Sequence, residues 1–189
     1  MRNRILMGAF DEINSRGVKF TMSNLAKRLN LSKTSLYEHF SSKNELVHNI
    51  ILAALEDIQK QEDQIYNDTE MSVPEKIEAL IKIAPKLFGS ISNYSIYDDL
   101  RYYYPDEWHY AEEFREKQQG RLVDFIIQNT ENQTLRLVNI KVLKQILARV
   151  ADDLFSFRFL SENNITNADA LSAMADIIVY GLLQSNTKK

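Results

Sequence analysis

The segment that most constrains the fold of this chain is residues 21–46, TMSNLAKRLNLSKTSLYEHFSSKNEL. Its apolar residues recur from Met22 to Leu29 at the three-and-four spacing of a one-sided helix. Thr21 is a favourable N-cap for this helix, and Asn30 is a favourable end. The pattern therefore predicts a short amphipathic helix with a defined start and a defined end.

A second short helix is predicted directly after the first. Ser32 can cap it, and Leu36 and Phe40 then turn towards the first helix. Two short helices joined by a tight turn form a helix-turn-helix, in which the second helix reads DNA. The face of this helix that remains exposed carries Lys33, Thr34, Ser35, Tyr37 and His39.

Side chains of these types suit a DNA groove. Lys33 can meet phosphate or guanine, and a small Thr34 lets the helix N-terminus approach the base edges. Tyr37 and His39 can donate to phosphate oxygens. A purely structural interpretation is also open for each residue, because Ser and Thr often act only as caps and a Tyr on a short helix is often half-buried.

A third helix is predicted to begin at Lys43. Ser42 and Glu45 have the spacing of a capping box, in which each side chain accepts from the backbone N–H of the other residue. A helix N-terminus beside a cation binds phosphate well, so Lys43 is a candidate phosphate contact. The apolar stripe continues towards Ile65, which is too long for the motif alone, and we expect this helix to transmit movement between domains.

These residues resemble the DNA-binding signature of the TetR (tetracycline-repressor-like) transcription regulators. The resemblance is most specific in the run Leu36-Tyr37-Glu38-His39-Phe40-Ser41-Ser42-Lys43-Asn44-Glu45-Leu46, and it covers roughly the first quarter of the chain. Thr34 departs from the family pattern, which usually has Gly, Pro or Ala there, and this departure bears on the operator sequence rather than on the fold. We expect DNA contacts from Thr21, Ser32, Lys33, Thr34, Ser35, Tyr37, His39 and Lys43.

The distribution of charge agrees with DNA binding. The whole chain of 189 residues has a formal charge of −3. Residues 1–47, however, carry 8 Lys and Arg against 4 Asp and Glu, a net +4, whereas residues 48–189 carry 15 against 22, a net −7. The basic part is thus the helix-turn-helix part, and an acidic body limits indiscriminate binding.

Several classes of protein are excluded by what the sequence lacks. There is no cysteine, so we expect neither disulfides nor a thiolate metal site. No signal peptide and no membrane-spanning run is recognisable, which predicts a cytoplasmic protein. The five glycines are scattered, and there is no nucleophile elbow or HExxH pair, so we expect no enzyme and no cofactor.

The periodicity predicts an all-α fold with two domains. Residues 1–47 are expected to form a three-helix DNA-binding domain, and residues 48–189 a larger helical domain for effector binding and dimerisation. Further helices are predicted over 2–16, over 74–90 with a kink at Pro85, and over about 94–104 and 105–129.

The most aromatic part of the chain predicts the effector site. Aromatic walls with a few polar groups are typical of small-molecule pockets, although the same rings would also fill a core. The candidate ligand-binding residues are Phe88, Tyr97, Arg101, Tyr104, Trp108, His109 and Phe155. Asp98 or Asp99 would favour a cationic ligand and Arg101 or His109 an anionic one. His109 with Glu112 or Glu113 lacks a third ligand, so we predict no metal site.

The last two predicted helices, 136–160 and 167–185, are apolar on two sides. In a body of this size the second side is most economically covered by another copy of the chain, and similar TetR-like proteins dimerise through their last two long helices. The resulting hypothesis is a homodimeric, ligand-responsive repressor on a palindromic operator. The competing hypothesis is a ligand-independent DNA-bound module whose acidic body recruits a protein partner.

Overall fold

The computed structural model describes residues 1–86, 96–154 and 157–183, and within these ranges the chain forms ten helices and no strand. In chain order the helices are α1 Arg2–Arg16, α2 Met22–Leu29, α3 Lys33–His39, α4 Lys43–Asn67, α5 Val73–Ile81, α6 Ile96–Tyr103, α7 Pro105–Glu131, α8 Ile140–Leu154, α9 Phe157–Asn163 and α10 Asn167–Leu182. The predicted all-α fold is confirmed.

The ends of the first three helices are set by local capping. α1 ends at Gly17, whose φ of 72° a residue with a side chain rarely adopts. Thr21 caps α2, and Asn30 ends it in the left-handed conformation, with φ of 53°. The hydroxyl of Ser32 caps α3. Each boundary of the helix-turn-helix therefore lies where the sequence predicts it.

Residues 1–58 and the described part of residues 85–112 form one compact unit. Leu36 and Phe40 are fully buried in its core, as the spacing predicts. Ile96 and Tyr104 belong to the same core. The unit thus extends past residue 47, because the first turns of α4 and the residues around α6 cover the apolar side of the helix-turn-helix.

Residues 59–84 and the described part of residues 113–189 form the second compact unit. Its core includes Ile77 of α5, Val123 of α7, Leu147 of α8 and Ile178 of α10, all of which are buried. The unit also contains a buried carboxylate, Glu62, which is 2% exposed. Burial raises the pKa of Glu62, while the Arg121 guanidinium, with its Nη1 2.7 Å from Glu62 Oε2, opposes that shift.

The helix predicted over 74–90 ends early, and residues 87–90 of that prediction lie outside the described residues. α5 begins with Ser72 and Glu75 in the predicted reciprocal capping box, but it ends at Ile81. Residues 83–86 are not helical. Pro85 cannot donate to the preceding turn and its ring disfavours helical backbone before it, so it ends the helix instead of kinking it.

The helix predicted over 136–160 is also wrong in its bounds. α8 begins at Ile140 instead of residue 136, and α9 follows from Phe157, with residues 155 and 156 outside the described residues. The later start follows from Asn139, whose side-chain Oδ1 accepts from Lys141 N at 3.1 Å and Val142 N at 3.3 Å and so caps α8. The helix predicted over 167–185 is α10, which ends at Leu182 within the described residues. No helix of the described residues is long and apolar enough to cross a membrane.

Candidate nucleic-acid interface

α3 has one side buried in the core and the opposite side exposed to solvent. Leu36 is fully buried, whereas Tyr37, its neighbour in sequence, is 48% exposed. Lys33 and Thr34 at the first turn are exposed, and Ser35 and His39 are half-buried. The seven-residue helix therefore presents its N-terminal turn and the phenol of Tyr37 to solvent.

The two capping hydroxyls, of Ser32 and Thr21, differ in whether their hydrogen is free to donate to another group. Ser32 Oγ accepts from Ser35 N at 3.0 Å, which leaves its hydroxyl hydrogen free to donate. Thr21 Oγ1 accepts from Asn24 N at 3.2 Å and lies 2.6 Å from Asn24 Oδ1, to which it donates. The one hydroxyl hydrogen of Thr21 is thus committed to the cap, so Thr21 contributes by holding the start of α2.

Two arginines of α1 cap the carbonyl ends of the motif helices. Arg2 Nη1 donates to the carbonyl oxygen of His39 at 2.7 Å, and its guanidinium lies 4.1 Å from the centre of the Phe40 ring. Arg4 Nη2 donates to the carbonyl oxygen of Leu29 at 2.7 Å. The carbonyl partners are 37 and 25 residues away along the chain, so no local pattern could have identified them.

The start of α4 differs in one contact from the expected capping box. Glu45 N donates to Ser42 Oγ at 3.0 Å, as predicted. The carboxylate of Glu45 reaches Ser41 instead of Ser42, with its Oε2 accepting from Ser41 N at 2.6 Å and Ser41 Oγ at 2.7 Å. These hydrogen bonds lower the pKa of Glu45. They close the turn between α3 and α4.

Lys43 is partly enclosed at this turn. Its Nζ donates to the carbonyl oxygen of Val18 and lies 4.7 Å from the centre of the Phe20 ring and 5.8 Å from that of Tyr104. Burial lowers the pKa of the Lys43 ammonium. The phosphate contact of Lys43 stays a prediction. In the structure the Lys43 side chain has a defined position within the first unit.

Most of the positive charge of the first 47 residues has an acceptor within the chain. Glu12, 2% exposed, pairs with Arg28 Nε at 2.5 Å and with Arg16 Nε at 3.1 Å. Among the described residues, six of the eight cations have such partners, namely Arg2, Arg4, Arg16, Lys19, Arg28 and Lys43. Lys33 on α3 has none there, so its ammonium is available for phosphate.

The candidate ligand-binding residues fall into separate places. The rings of Tyr97 and Trp108 meet edge to face, with centroids 6.4 Å apart, and the Arg101 guanidinium lies 4.8 Å from the Trp108 ring. Burial raises the pKa of the Tyr97 phenol. Tyr104 instead packs in the core of the first unit. His109 is exposed, and Phe88 and Phe155 lie outside the described residues. No group of three metal-ligating side chains occurs within the described ranges.

The helix-turn-helix geometry agrees with a comparison to known families. The family model for bacterial regulatory proteins of the tetR family matches residues 5–50, which include most of α1, all of α2 and α3 and the first turns of α4. Residues 5–50 are therefore similar to the DNA-binding region of tetR-family regulators. The resemblance read from the run that ends at Leu46 is thereby confirmed.

Similarity to bacterial transcription regulators extends over nearly the whole chain. An HTH-type transcriptional regulator of Bacillus subtilis (strain 168), YvaF, is 22% identical over 182 residues, which is 96% of this chain and 95% of that protein. The crystal structure of PfmR from Thermus thermophilus, a TetR-family regulator, is 21% identical, with a TM-score of 0.68 over 96% of this chain and 100% of that one. A TetR-family regulator from Agrobacterium tumefaciens is 14% identical, with a TM-score of 0.73 over 97% of each chain.

The chain is accordingly a DNA-binding transcription regulator, and the helix that reads DNA in a helix-turn-helix is the second one, α3. The low identity to the solved structures shows a shared fold and leaves the residues that read the operator, and those that bind a ligand, specific to this chain.

Proposed function

We propose that this protein is a TetR-family, ligand-responsive repressor that binds a palindromic operator as a homodimer. The exposed N-terminal turn of α3, within the matched DNA-binding region, is the observation on which this proposal rests. A dimer carries two such helices, which reach two half-sites on one side of the duplex about one helical turn apart or somewhat more.

Each side chain of α3 has a distinct role in the proposed complex. Lys33 binds phosphate or guanine, and Thr34 and Ser35 face base edges at the N-terminus of the helix. Tyr37 and His39 donate to phosphate oxygens from the C-terminal half. Ser32 offers its hydroxyl hydrogen, and Thr21 holds the N-terminus of α2 close to the backbone. Lys43 adds a phosphate contact at the start of α4.

Selection of bound fragments from random duplexes tests the DNA-binding part of the proposal. We expect an imperfect palindrome, with each half-site contacted by one protomer. Recovery of only unrelated or single half-site sequences by the full chain would contradict the dimeric mode.

Salt dependence then separates phosphate contacts from base contacts. Lys33→Met should weaken binding and reduce the slope of log K against log salt by about 0.9 for each phosphate that is no longer neutralised, thus by about 1.8 for a dimer. Thr34→Gly should alter the selected sequence with little effect on that slope. Lys117→Met, which removes an exposed lysine of the second unit, is the matched control and should leave both quantities unchanged. An unchanged slope for Lys33→Met would refute its phosphate contact.

The proposed dimer interface is formed by the outer sides of α8 and α10. Val142 is 53% exposed, Ile146 42%, Ile177 75% and Tyr180 76%. A groove of about 260 Å³ between the two helices is lined by Val142, Ile146, Ile177 and Gly181 among others. Exposed apolar side chains grouped on one face are typical of a surface that another protein covers. Dimerisation through this face is the arrangement expected for the family.

We place effector recognition at Tyr97, Arg101 and Trp108, where two rings and a cation meet. Solved neighbours support a small-molecule ligand, since the regulator from Saccharomonospora viridis, 15% identical with a TM-score of 0.73, was crystallised in complex with choline. Whether the ligand of this chain is cationic or anionic is left open by its mixed charges.

Trp108 is the one tryptophan of the chain, so its fluorescence reports directly on this site. Panels of quaternary ammonium compounds and of carboxylates should be titrated against the full chain. A true effector changes the fluorescence and weakens operator binding, and the operator must weaken effector binding by the same factor. If fluorescence responds to a compound while operator affinity does not, the compound is not an effector.

A further inference from the structure

The contacts of Lys43 join three parts of the first unit that are distant in sequence. Val18 and Phe20 belong to the loop between α1 and α2, and both are buried, at 1% and 2% exposed. Tyr104 lies between α6 and α7 and is 8% exposed. Lys43 itself is the first residue of α4. One ammonium group, on the helix that follows the helix-turn-helix, therefore contacts both the loop that leads into the motif and the α6–α7 junction.

The surroundings of this ammonium leave part of its bonding capacity unused. An ammonium has three N–H donors, of which the Val18 carbonyl takes one. The two rings offer cation–π attraction. Among the described residues, no carboxylate contacts Lys43. A partly desolvated cation with spare donors at a helix N-terminus is suited to bind a phosphate oxygen.

The Tyr104 ring is held by its own backbone. Tyr104 N donates to the carbonyl oxygen of Leu100 at 2.9 Å, and Trp108 N donates to that of Tyr104 at 2.9 Å. The residue thus belongs to the hydrogen-bonded ends of both α6 and α7, and its ring packs in the core of the unit. A movement of the α6–α7 junction would therefore shift the ring relative to Lys43.

A second lysine connects the same two regions on the surface. Lys19 Nζ lies 5.0 Å from the centre of the Tyr103 ring and 4.0 Å from Asp99 Oδ1. Lys19 is exposed and Tyr103 is 46% exposed, so water competes with this contact far more than with the enclosed one. The surface pair provides a natural control for the buried pair.

We propose that Tyr104 is a positioning residue for DNA binding: its ring, with that of Phe20, holds the Lys43 ammonium where it meets operator phosphate. Movement of the α6–α7 junction would release the ammonium and weaken DNA binding without any change in α3. The inference rests on the proposed phosphate contact of Lys43, and it gives Tyr104 a place in regulation rather than in the lining of the effector site.

Two substitutions of Tyr104 separate positioning from packing. Tyr104→Phe keeps a ring beside the ammonium and should leave operator affinity within about two-fold of wild type. Tyr104→Leu keeps an apolar side chain but removes the ring, and it should weaken affinity by about five-fold per protomer, the scale of one partly enclosed cation–π contact. Tyr103→Leu, the surface control, should have little effect. Thermal unfolding and sedimentation of each variant verify that it folds and assembles as wild type.

A double-mutant cycle with Lys43→Met gives the decisive measurement. If Tyr104 acts through the ammonium, Tyr104→Leu should cause no further loss of affinity in the Lys43→Met background. If the two losses multiply, or if Phe and Leu at position 104 weaken binding equally, Tyr104 serves packing alone and the inference is overturned.

The salt slope distinguishes the failure of this inference from that of its premise. Lys43→Met should reduce the slope by about 1.8 for a dimer. If Lys43→Met lowers neither the affinity nor the slope while the protein still binds its operator, the proposed phosphate contact of Lys43 is wrong. If the slope falls but the cycle is additive, only the role of Tyr104 is wrong.

Discussion

The substitution Tyr180→Ser gives a quantitative test of the proposed dimer. Tyr180 projects from α10 with 76% of its surface exposed. Tyr102 on α6 is 79% exposed and lies in the other compact unit, outside the proposed interface. The two tyrosines are thus matched in residue type and exposure. Tyr180→Ser should dissociate the dimer, and Tyr102→Ser should not.

The expected loss of dimer stability follows from the exposed area of Tyr180 that the partner would cover. An aromatic side chain buries roughly 200 Å² in an interface. Three quarters of that is about 150 Å², and covering half of it contributes about 2 kcal/mol at about 25 cal/mol per Å². A two-fold interface contains each substitution twice, so the dimer loses about 4 kcal/mol. Its dissociation constant should rise by roughly three orders of magnitude.

Sedimentation velocity over a series of protein concentrations measures this constant directly. Operator binding should become steeply dependent on protein concentration for Tyr180→Ser, because two protomers must then assemble on the DNA. A variant that sediments as wild type, or a loss of dimer that is equal for Tyr102→Ser, would refute the assignment of the interface to α8 and α10.

Two further predictions concern the stability of the chain. A Cβ on Gly8 would lie 2.6 Å from Leu29 Cδ2, whereas nothing lies within 4 Å of a Cβ on Gly120 in α7. Gly8→Ala should therefore lower the free energy of unfolding by about 1–3 kcal/mol, because the core must make room for the methyl group. Gly120→Ala should raise it by about 0.5–1 kcal/mol, because alanine favours the helix, and chemical denaturation measures both changes. Hydrogen bonds from the Thr166 hydroxyl and N–H lower the pKa of Asp169, so the stabilisation by its carboxylate is present above the ordinary pKa of 3.8 and is lost as pH falls through the lower pKa of the folded chain. The melting temperature of Asp169→Ala should therefore lie below that of wild type at pH 7 and converge with it in strong acid. A constant difference at all pH values would contradict this capping role.

The helix-turn-helix could be predicted from the sequence because its boundaries depend on neighbours within a few residues. Thr21, Asn30 and Ser32 determine where α2 and α3 begin or end, and the caps at these positions act over one turn. The inward direction of Leu36 and Phe40 follows from helical periodicity alone. These features need no knowledge of the rest of the chain.

The contacts that orient the motif could not be predicted in the same way. No local pattern relates Arg2 and Arg4 to other helices, and only the folded chain brings them to the carbonyl ends of α3 and α2. Tyr104 belonged to an aromatic run that fits a ligand pocket or a core equally well, and most residues of the core that it joins lie more than 50 positions earlier. Pro85 indicated an irregularity, but the sequence did not show that α5 would already end at Ile81.

The pairing of six cations with acceptors of their own chain has a consequence for how the regulator finds its target. Attraction to arbitrary DNA depends on the cations that phosphates can reach, and Arg2, Arg16, Lys19 and Arg28 already lie beside carboxylates of their own chain. We therefore expect short residence on unrelated chromosomal sequences, so that the search proceeds through frequent release and rebinding rather than long sliding. Occupancy of the true site then depends on the few side chains that recognise it, and a modest weakening of any one of them is enough to open the gene.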